Sequence, residues 1–418
     1  MTPDSSAAHR GLIFIQQGRY RDAEKYLRDA LATDPNNPAT LYYLALCELN
    51  QGRPREALET IERALGLGPE VDGFHALRAL CLLQMGKADE AMESANEAVR
   101  LGPDSDFAFV AIASIHLAKK RWFEAETAAR KALDLNPENA NASNILTTAL
   151  RMQNRLSESA DRVAYALQQD PENPDNHVSA GWTALHQGQV KQAEEHFLEA
   201  LRLEPENEQA KDGLKEAFKS RSIIYRGYLQ YCFFMQRLTT ANQWLIIIGL
   251  LVGVRLARAY LPPAIATFVI GLYFLLVLWV HVARPVGNLQ LMLDRFARHA
   301  LSRGERWEAC LAGGAVTVGA PLFFLGSIGG YLHPLIIGSA LTSAAFPLAY
   351  IFTNRSRVGQ AVFGLAAAGA LVCGGLAYLS IYFGHPAGQQ GPELLLVSAI
   401  IAMAVTWLCN IPALNRRW

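Results

Sequence analysis

The sequence predicts an all-α protein of two unlike halves, a stacked helical-hairpin solenoid followed by a multi-span helical membrane domain. Three observations predict it: a strict 34-residue periodicity before Ser222, long uncharged runs after it, and a charge balance that differs between the halves. The whole chain of 418 residues carries 38 Lys and Arg against 38 Asp and Glu. Residues 1–222 hold 25 basic and 34 acidic side chains, whereas residues 223–418 hold 13 Arg, no Lys and 4 acidic residues. The halves therefore suit different solvents. With 51% hydrophobic residues the chain is not disordered. Its 6 cysteines are scattered without a CxxC pair, which excludes a disulfide scaffold. An acidic soluble half argues against nucleic acid as a partner. The opening MTPDSSAAHR is polar, so no cleavable signal peptide is expected.

The period is read from proline. Pro35, Pro69, Pro103, Pro137, Pro171 and Pro205 recur every 34 residues. In the same phase stand Ala30, Ala64, Ala98, Ala132, Ala166 and Ala200, and earlier Ala23, Ala57, Ala91, Ala125, Ser159 and Ala193. Gly11, Ala45, Ala79, Ala113, Thr147 and Gly181 mark the point where paired helices must approach closely. Gly18, Gly52, Gly86, Lys120, Asn154 and Gly188 occupy a turn that needs left-handed backbone, so Lys120 is expected to be strained. Each proline ends the second helix of a unit.

This pattern resembles the tetratricopeptide repeat (TPR), a helix–turn–helix unit of that period. Six units fill residues 4–207, and residues 208–222 read as a polar capping helix. One unit cannot bury its apolar face alone, so neighbours stabilise one another.

After Ser222 the period stops. No Asp, Glu, Lys or Arg lies between Ala309 and Thr353, or between Val358 and Pro392. About 20 apolar residues span a bilayer core of ~30 Å. Residues 243–411 yield six candidate spans: 243–260, 263–282, 309–331, 335–353, 359–383 and 394–411. The first is the weakest, because Arg255 and Arg258 lie in its last turns and must snorkel to the interface. Residues 223–242 read as an interfacial aromatic helix, with Tyr225, Tyr228, Tyr231, Phe233 and Phe234 at headgroup depth. Residues 288–303 read as a basic amphipathic surface helix, with Leu289, Met292, Leu293, Phe296 and Ala300 opposite Asp294, Arg295, Arg298, His299, Ser302 and Arg303. With six spans one side holds 11 arginines and the other only Arg255 and Arg258. The positive-inside rule then assigns the solenoid and the tail 412–418 to the cytoplasm, and the His385–Pro392 loop to the far side. The membrane half resembles uncharacterised domains that follow TPR arrays in some bacterial proteins, which implies a bacterial inner membrane.

The sequence carries no motif for phosphate binding, metalloprotease or hydrolase chemistry, and no His, Cys or carboxylate cluster at metal-ligand spacing. No catalytic residue, cofactor or metal is expected. The stretch between Glu308 and Glu393 lacks the carboxylate that ion-coupled transporters usually need. The pairs Gly249/Gly253, Gly326/Gly330 and Ala370/Gly374 have the small-residue spacing of packed membrane helices.

The TPR resemblance implies a concave groove lined by the first helix of each unit. Its phase assigns Tyr42 and Leu46 in unit 2, Phe107 in unit 4, Asn141, Asn144, Thr148 and Arg151 in unit 5, and Trp182 in unit 6. The groove reads as an apolar floor followed by a polar patch. Ala8 and Leu12 stand where the chaperone-binding subfamily places Lys and Asn, so a chaperone's C-terminal carboxylate is not the expected ligand. The reading is a membrane-anchored scaffold that recruits a cytoplasmic protein or peptide. The alternative is a membrane enzyme or transporter subunit whose solenoid selects the substrate, which would need a polar cavity between spans.

Overall fold

The computed structural model describes residues 3–294, 300–383, 391–408, 411 and 414. The chain divides into two compact units, Met1–Gln187 and Gly188–Trp418. The first unit is a run of helical hairpins: α1 (Pro3–Gln16), α2 (Tyr20–Thr33), α3 (Pro38–Asn50), α4 (Pro54–Leu67), α5 (Asp72–Gln84), α6 (Ala88–Leu101), α7 (Asp106–Ala118), α8 (Trp122–Leu135), α9 (Ala140–Met152), α10 (Leu156–Gln169) and α11 (Pro174–His186). The turns are those the period demands. Gly18, Gly52, Gly86 and Gly188 have φ of +69, +74, +79 and +77°, and Lys120 and Asn154 adopt the same left-handed backbone at +56 and +64°. A methyl group added at those glycines would meet nothing within 4 Å, so φ alone selects them. Helix starts are fixed by a second periodic device. Asn37, Asn139 and Asn173 accept hydrogen bonds from the backbone N–H of Thr40, Ala142 and Asp175, and cap α3, α9 and α11.

Small residues set the depth of packing. Ala23, Ala57, Ala91 and Ala125 are fully buried in the second helices, as are Ala45, Ala79 and Ala113 in the first. The core runs on between units: Leu41, Ile61, Phe74 and Leu77 form one cluster, and Leu82, Ala95, Ala108 and Ile115 the next. Unit 5 breaks the pattern, and the serine at its small-residue position is hydrogen-bonded. The Ser159 hydroxyl lies 3.2 Å from the Thr147 carbonyl and 3.1 Å from the Thr183 hydroxyl.

The second unit begins with α12 (Val190–Leu203) and α13 (Glu208–Lys219), with Asn207 capping α13. It continues through α14 (Ile223–Arg237), α15 (Thr240–Tyr260), α16 (Pro263–Leu293), α17 (Arg303–Glu308), α18 (Gly314–Gly329), α19 (Leu332–Leu348), α20 (Arg357–Tyr382) and α21 (Gly391–Leu408). A π-helical turn, Ala309–Gly313, joins α17 to α18 in one 27-residue apolar helix. Among the described residues, four helices are long and apolar enough to cross a membrane: Ala241–Tyr260, Pro263–Leu293, Arg303–Gly329 and Arg357–Ser380. α19 is shorter, at 17 residues, as is the apolar stretch Glu393–Ala402 in α21.

Three expectations change. Residues 289–293 are the last turns of α16, not the start of a separate amphipathic helix, because α16 runs through Pro285 without ending. Residues 295–299 lie outside the described residues, as do 384–390, which hold most of the His385–Pro392 loop, and 415–418 of the tail. Part of the aromatic face of α14 packs inside the protein: Tyr225 and Phe233 are buried, and the rings of Tyr228 and Tyr231 lie 6.1 and 6.3 Å from Trp279 of α16, whereas Phe234 is exposed. Of the small-residue pairs, Gly326 abuts the Leu335 backbone and Gly374 abuts Ala340. Gly330 instead ends α18 with φ +69°, and Gly249 and Gly253 face open space.

Lys120 holds a conformation that glycine adopts without strain. Lys120→Gly is expected to stabilise the solenoid by about 1 kcal/mol, and Asn154→Gly by less, since Asn tolerates left-handed backbone. Urea melts followed by circular dichroism measure this; no gain at position 120 would contradict it.

Candidate functional site

The structure divides the sequence-predicted groove residues into two groups. Tyr42, Leu46 and Phe107 are half-buried and pack on the core shared by the early repeats. The Tyr42 ring stacks on Phe74 at 5.6 Å, and burial pushes its phenol up to about 12. These side chains spend much of their surface on neighbouring repeats. The second group lies on α9 and α11. Asn144 accepts a hydrogen bond from the Ser179 hydroxyl at 2.9 Å, and the Thr148 hydroxyl lies 3.4 Å from Nη2 of Arg151. Asn141 is exposed and Trp182 half-buried.

Arg151 is the anomaly. It stands where the other repeats place Leu49, Leu83, Leu117 and Leu185. Only 8% of its surface is exposed, and its Nε and Nη1 are buried without a hydrogen-bond partner. Burial pulls the guanidinium down to about 10. A buried donor without an acceptor costs roughly 1–3 kcal/mol, more when charged. The same position filled with leucine would pack without that cost.

Two carboxylates of the first unit are instead clasped by partners, and the clasp repeats. Glu24 Oε2 accepts from Gln51 at 2.8 Å and from Arg53 at 2.6 Å, and Arg28 lies 2.6 Å from its Oε1. Three periods later Glu126 accepts from Gln153 at 2.8 Å and Arg155 at 2.6 Å, with Arg130 at 2.8 Å. Burial pushes the Glu126 carboxyl up, but the Gln153 amide and the two guanidiniums outweigh it and hold it below the ordinary 4.5. Glu48 has less help: Thr60 donates to it at 2.8 Å and Arg28 stands 3.7 Å away, so burial wins and raises it. The sequence reading missed these pairs, although their equal spacing in two repeats is legible in retrospect.

A third polar group lies in the second unit, between α13, α14, α16 and α17. Lys219, 2% exposed, sits 3.0 Å from Glu216, and the Tyr225 hydroxyl donates to Glu216 at 2.7 Å. Lys215 is 3.3 Å from Glu305. Burial alone would raise the Glu216 carboxyl, yet Lys219, Tyr225 and the charge of Arg284 hold it below its usual range. Arg284 is within electrostatic reach of Glu308, which is fully buried. One turn on, the Asn288 amide is also fully buried, with no hydrogen-bond partner among the described residues. No group of three or more His, Cys, Asp or Glu among the described residues has metal-site geometry.

These hairpins, their left-handed turns and their shared core define a repeat solenoid of the protein-interaction type, joined to a set of long apolar helices. The comparisons agree for the solenoid. Residues 110–174 and 148–208 match the tetratricopeptide repeat family, and residues 16–98 match the family described as anaphase-promoting complex (cyclosome) subunit 3. The first part of the chain is a TPR solenoid. Similar solved structures include a thermophilic TPR protein of Thermus thermophilus, 22% identical, covering 44% of this chain and 99% of that one, with a TM-score of 0.42. PilF of Pseudomonas aeruginosa is 20% identical, covers 50% of this chain and 95% of its own, and has a TM-score of 0.38. The Cut9–Hcn1 assembly of the anaphase-promoting complex is 18% identical with a TM-score of 0.44, and there the match covers 51% of this chain and 42% of the other. A comparison with curated proteins finds no match.

Glu126 and Glu48 are shifted in opposite directions from the ordinary carboxylate value. Glu126 stabilises the fold above its unfolded value of 4.5, and that contribution is lost as pH falls through its lowered folded value. Glu48 has a raised folded value, so its favourable contribution is present below 4.5 and is lost as pH rises. At neutral pH, Glu126→Gln is expected to destabilise the solenoid and Glu48→Gln to stabilise it, each by about 1 kcal/mol. Melting curves at neutral and acidic pH test the pair; shifts of the same sign would refute the assignment.

Proposed function

We propose that this chain is a membrane-anchored scaffold whose solenoid, on the cytoplasmic side, holds a protein or peptide partner through its groove. The observation that carries the reading is Arg151. A buried cation in a leucine position costs stability, and such a cost is retained where a partner's anion meets it. The guanidinium fork suits a carboxylate on an extended segment, with Asn141, Asn144 and Thr148 on the same helical face. Trp182 offers an apolar anchor of the hot-spot type beside that face. Tyr42, Leu46 and Phe107 extend the floor towards the early repeats. The departure at Ala8 and Leu12 from the chaperone-binding pattern supports an internal acidic residue of the partner, not a chaperone tail. The four long apolar helices supply the anchor.

The test is photo-crosslinking from Thr148 in the full-length protein in its native membranes. Wild type is expected to give one predominant adduct. Arg151→Leu should melt later than wild type yet lose the adduct, a weakening of about 1–3 kcal/mol. If Arg151→Leu keeps the adduct while Trp182→Ala or Tyr42→Ala removes it, the apolar floor is the site instead. A parallel prediction concerns orientation. Reporters placed after Trp418 and within residues 389–391 should read opposite sides, the first cytoplasmic, in a bacterial inner membrane. Both on one side would refute the six-span reading.

A further inference from the structure

The helices of the first unit pair as hairpins, so the turns within hairpins lie on one edge of the solenoid and the connections between hairpins on the other. The two edges differ in charge. The five turn segments, residues 18–21, 52–55, 86–89, 119–123 and 154–157, carry nine Lys and Arg against one acid, Asp89. The five connections, residues 34–38, 68–72, 102–106, 136–140 and 170–174, carry eight acids and neither Lys nor Arg. Part of the positive charge is spent locally. Arg19, Arg53, Lys87 and Arg155 each pair with the carboxylate three residues on, and Lys119 pairs with Asp89. Arg21, Arg55 and Arg121 are exposed and form no ion pair among the described residues.

One turn differs from the others in kind. Lys119, Lys120 and Arg121 run directly into Trp122 and Phe123. Lys120 takes φ +56° where Gly18, Gly52 and Gly86 stand in the earlier turns. Phe123 is 69% exposed, more than any other large apolar side chain among the described residues of the first unit. It holds the position of Arg21, Arg55, Asp89 and Ser157. Cations beside aromatic rings are the composition suited to the headgroup layer of an anionic leaflet. One phenylalanine and a few cations offer far less area than the roughly 1,000 Å² that a stable protein interface buries. They suffice within one molecule, because a domain tethered to its own membrane helices meets the bilayer at high effective concentration. The four long apolar helices supply that tether. We propose that the turn edge of the solenoid docks on anionic phospholipid headgroups, with Phe123 entering the interface and Arg121, Arg55 and Arg21 on phosphates. The same surface repels the acidic edge, so the field selects which edge faces it. This inference rests on the membrane-anchored reading above but not on the partner in the groove.

The experiment uses the full-length protein, with the photo-crosslinker p-benzoylphenylalanine in place of Phe123, in nanodiscs of phosphatidylglycerol and phosphatidylcholine in equal parts. Entry into the discs reports the anchor. Lipid adducts on the peptide that bears the crosslinker, read by mass spectrometry, report the docking. The expected result is a lipid adduct whose yield falls about fivefold in Arg121→Gln, and further in phosphatidylcholine alone or at high salt. The same crosslinker in place of Glu138, on the acidic edge, is expected to give none. A protein that enters the discs yet gives no lipid adduct from position 123, or as much from position 138, overturns the inference and leaves the anchor standing. An adduct indifferent to headgroup, salt and Arg121→Gln overturns it as well, since charge would then not hold the edge to the bilayer. Failure to enter the discs would remove the anchor, and this inference with it.

Discussion

The structure depends on how closely two helices approach at their crossing. At that distance only a small side chain fits between backbones. The solenoid meets the constraint mainly with alanine: Ala45 in α3, Ala79 in α5 and Ala113 in α7 are fully buried. The apolar half meets it with glycine. A methyl group at Gly319 would come within 2.8 Å of Leu341 Cβ, and one at Gly313 within 2.7 Å of the Pro285 carbonyl. The difference follows from the driving force. In water, burying a methyl group adds to hydrophobic stabilisation, so alanine is favoured over glycine. In lipid that term is absent, and close backbone contact supplies the attraction through dispersion.

Once crossings are fixed, polar groups must be placed around them. In the first unit, carboxylates at equivalent positions of α2 and α8 are clasped by the glutamine and arginine of the next hairpin. These clasps link successive repeats without disturbing the alanine crossings. Pairs of this type contribute modestly when exposed and more when partly covered. Arg151 has no such clasp for its Nε and Nη1, which sets it apart from Arg53 and Arg155 at the hairpin turns. An unclasped buried charge is the type of local inconsistency that points to function.

Much of the fold is legible in the sequence because it rests on residue type at fixed spacing. Glycine, lysine or asparagine in the turn phase all take the left-handed backbone. The apolar helices fall near the expected spans, because charge is excluded from them. Less legible was anything that depends on a neighbour distant in sequence. Tyr225 and Tyr228 have the composition of headgroup aromatics, yet Glu216 and Trp279 draw them inside. The span expected at 263–282 and the separate helix expected from 288 are one helix in this region, since α16 runs on through Pro285, and the carbonyl of Pro285 packs against Gly313 of the π turn. For the groove, the phase supplied candidate residues. It gave no sign that Asn144 would be engaged by Ser179 while Arg151 was left with open valences.

The second unit shows what joins a water-soluble helix to apolar ones. α13 is amphipathic, with Ala210, Gly213, Leu214 and Ala217 buried, and Gly213 lets it settle on the ring of Phe197 of α12. Its other side carries Lys215, Glu216 and Lys219, which meet Glu305 and Tyr225 and lie near Arg284. Three cations and three carboxylates, counting Glu308, thus occur where apolar helices end and polar ones begin. Lys219 buries its stem against Gly287 and the Tyr225 ring, a close fit that a side chain at position 287 would obstruct. Such a cluster has little net charge to desolvate, but each member depends on its partners, so losing one leaves a buried charge behind. That mutual dependence ties α13 to α14, α16 and α17. It is a physical reason for α12 and α13 to belong to the same compact unit as the apolar helices, although their sequence continues the repeat.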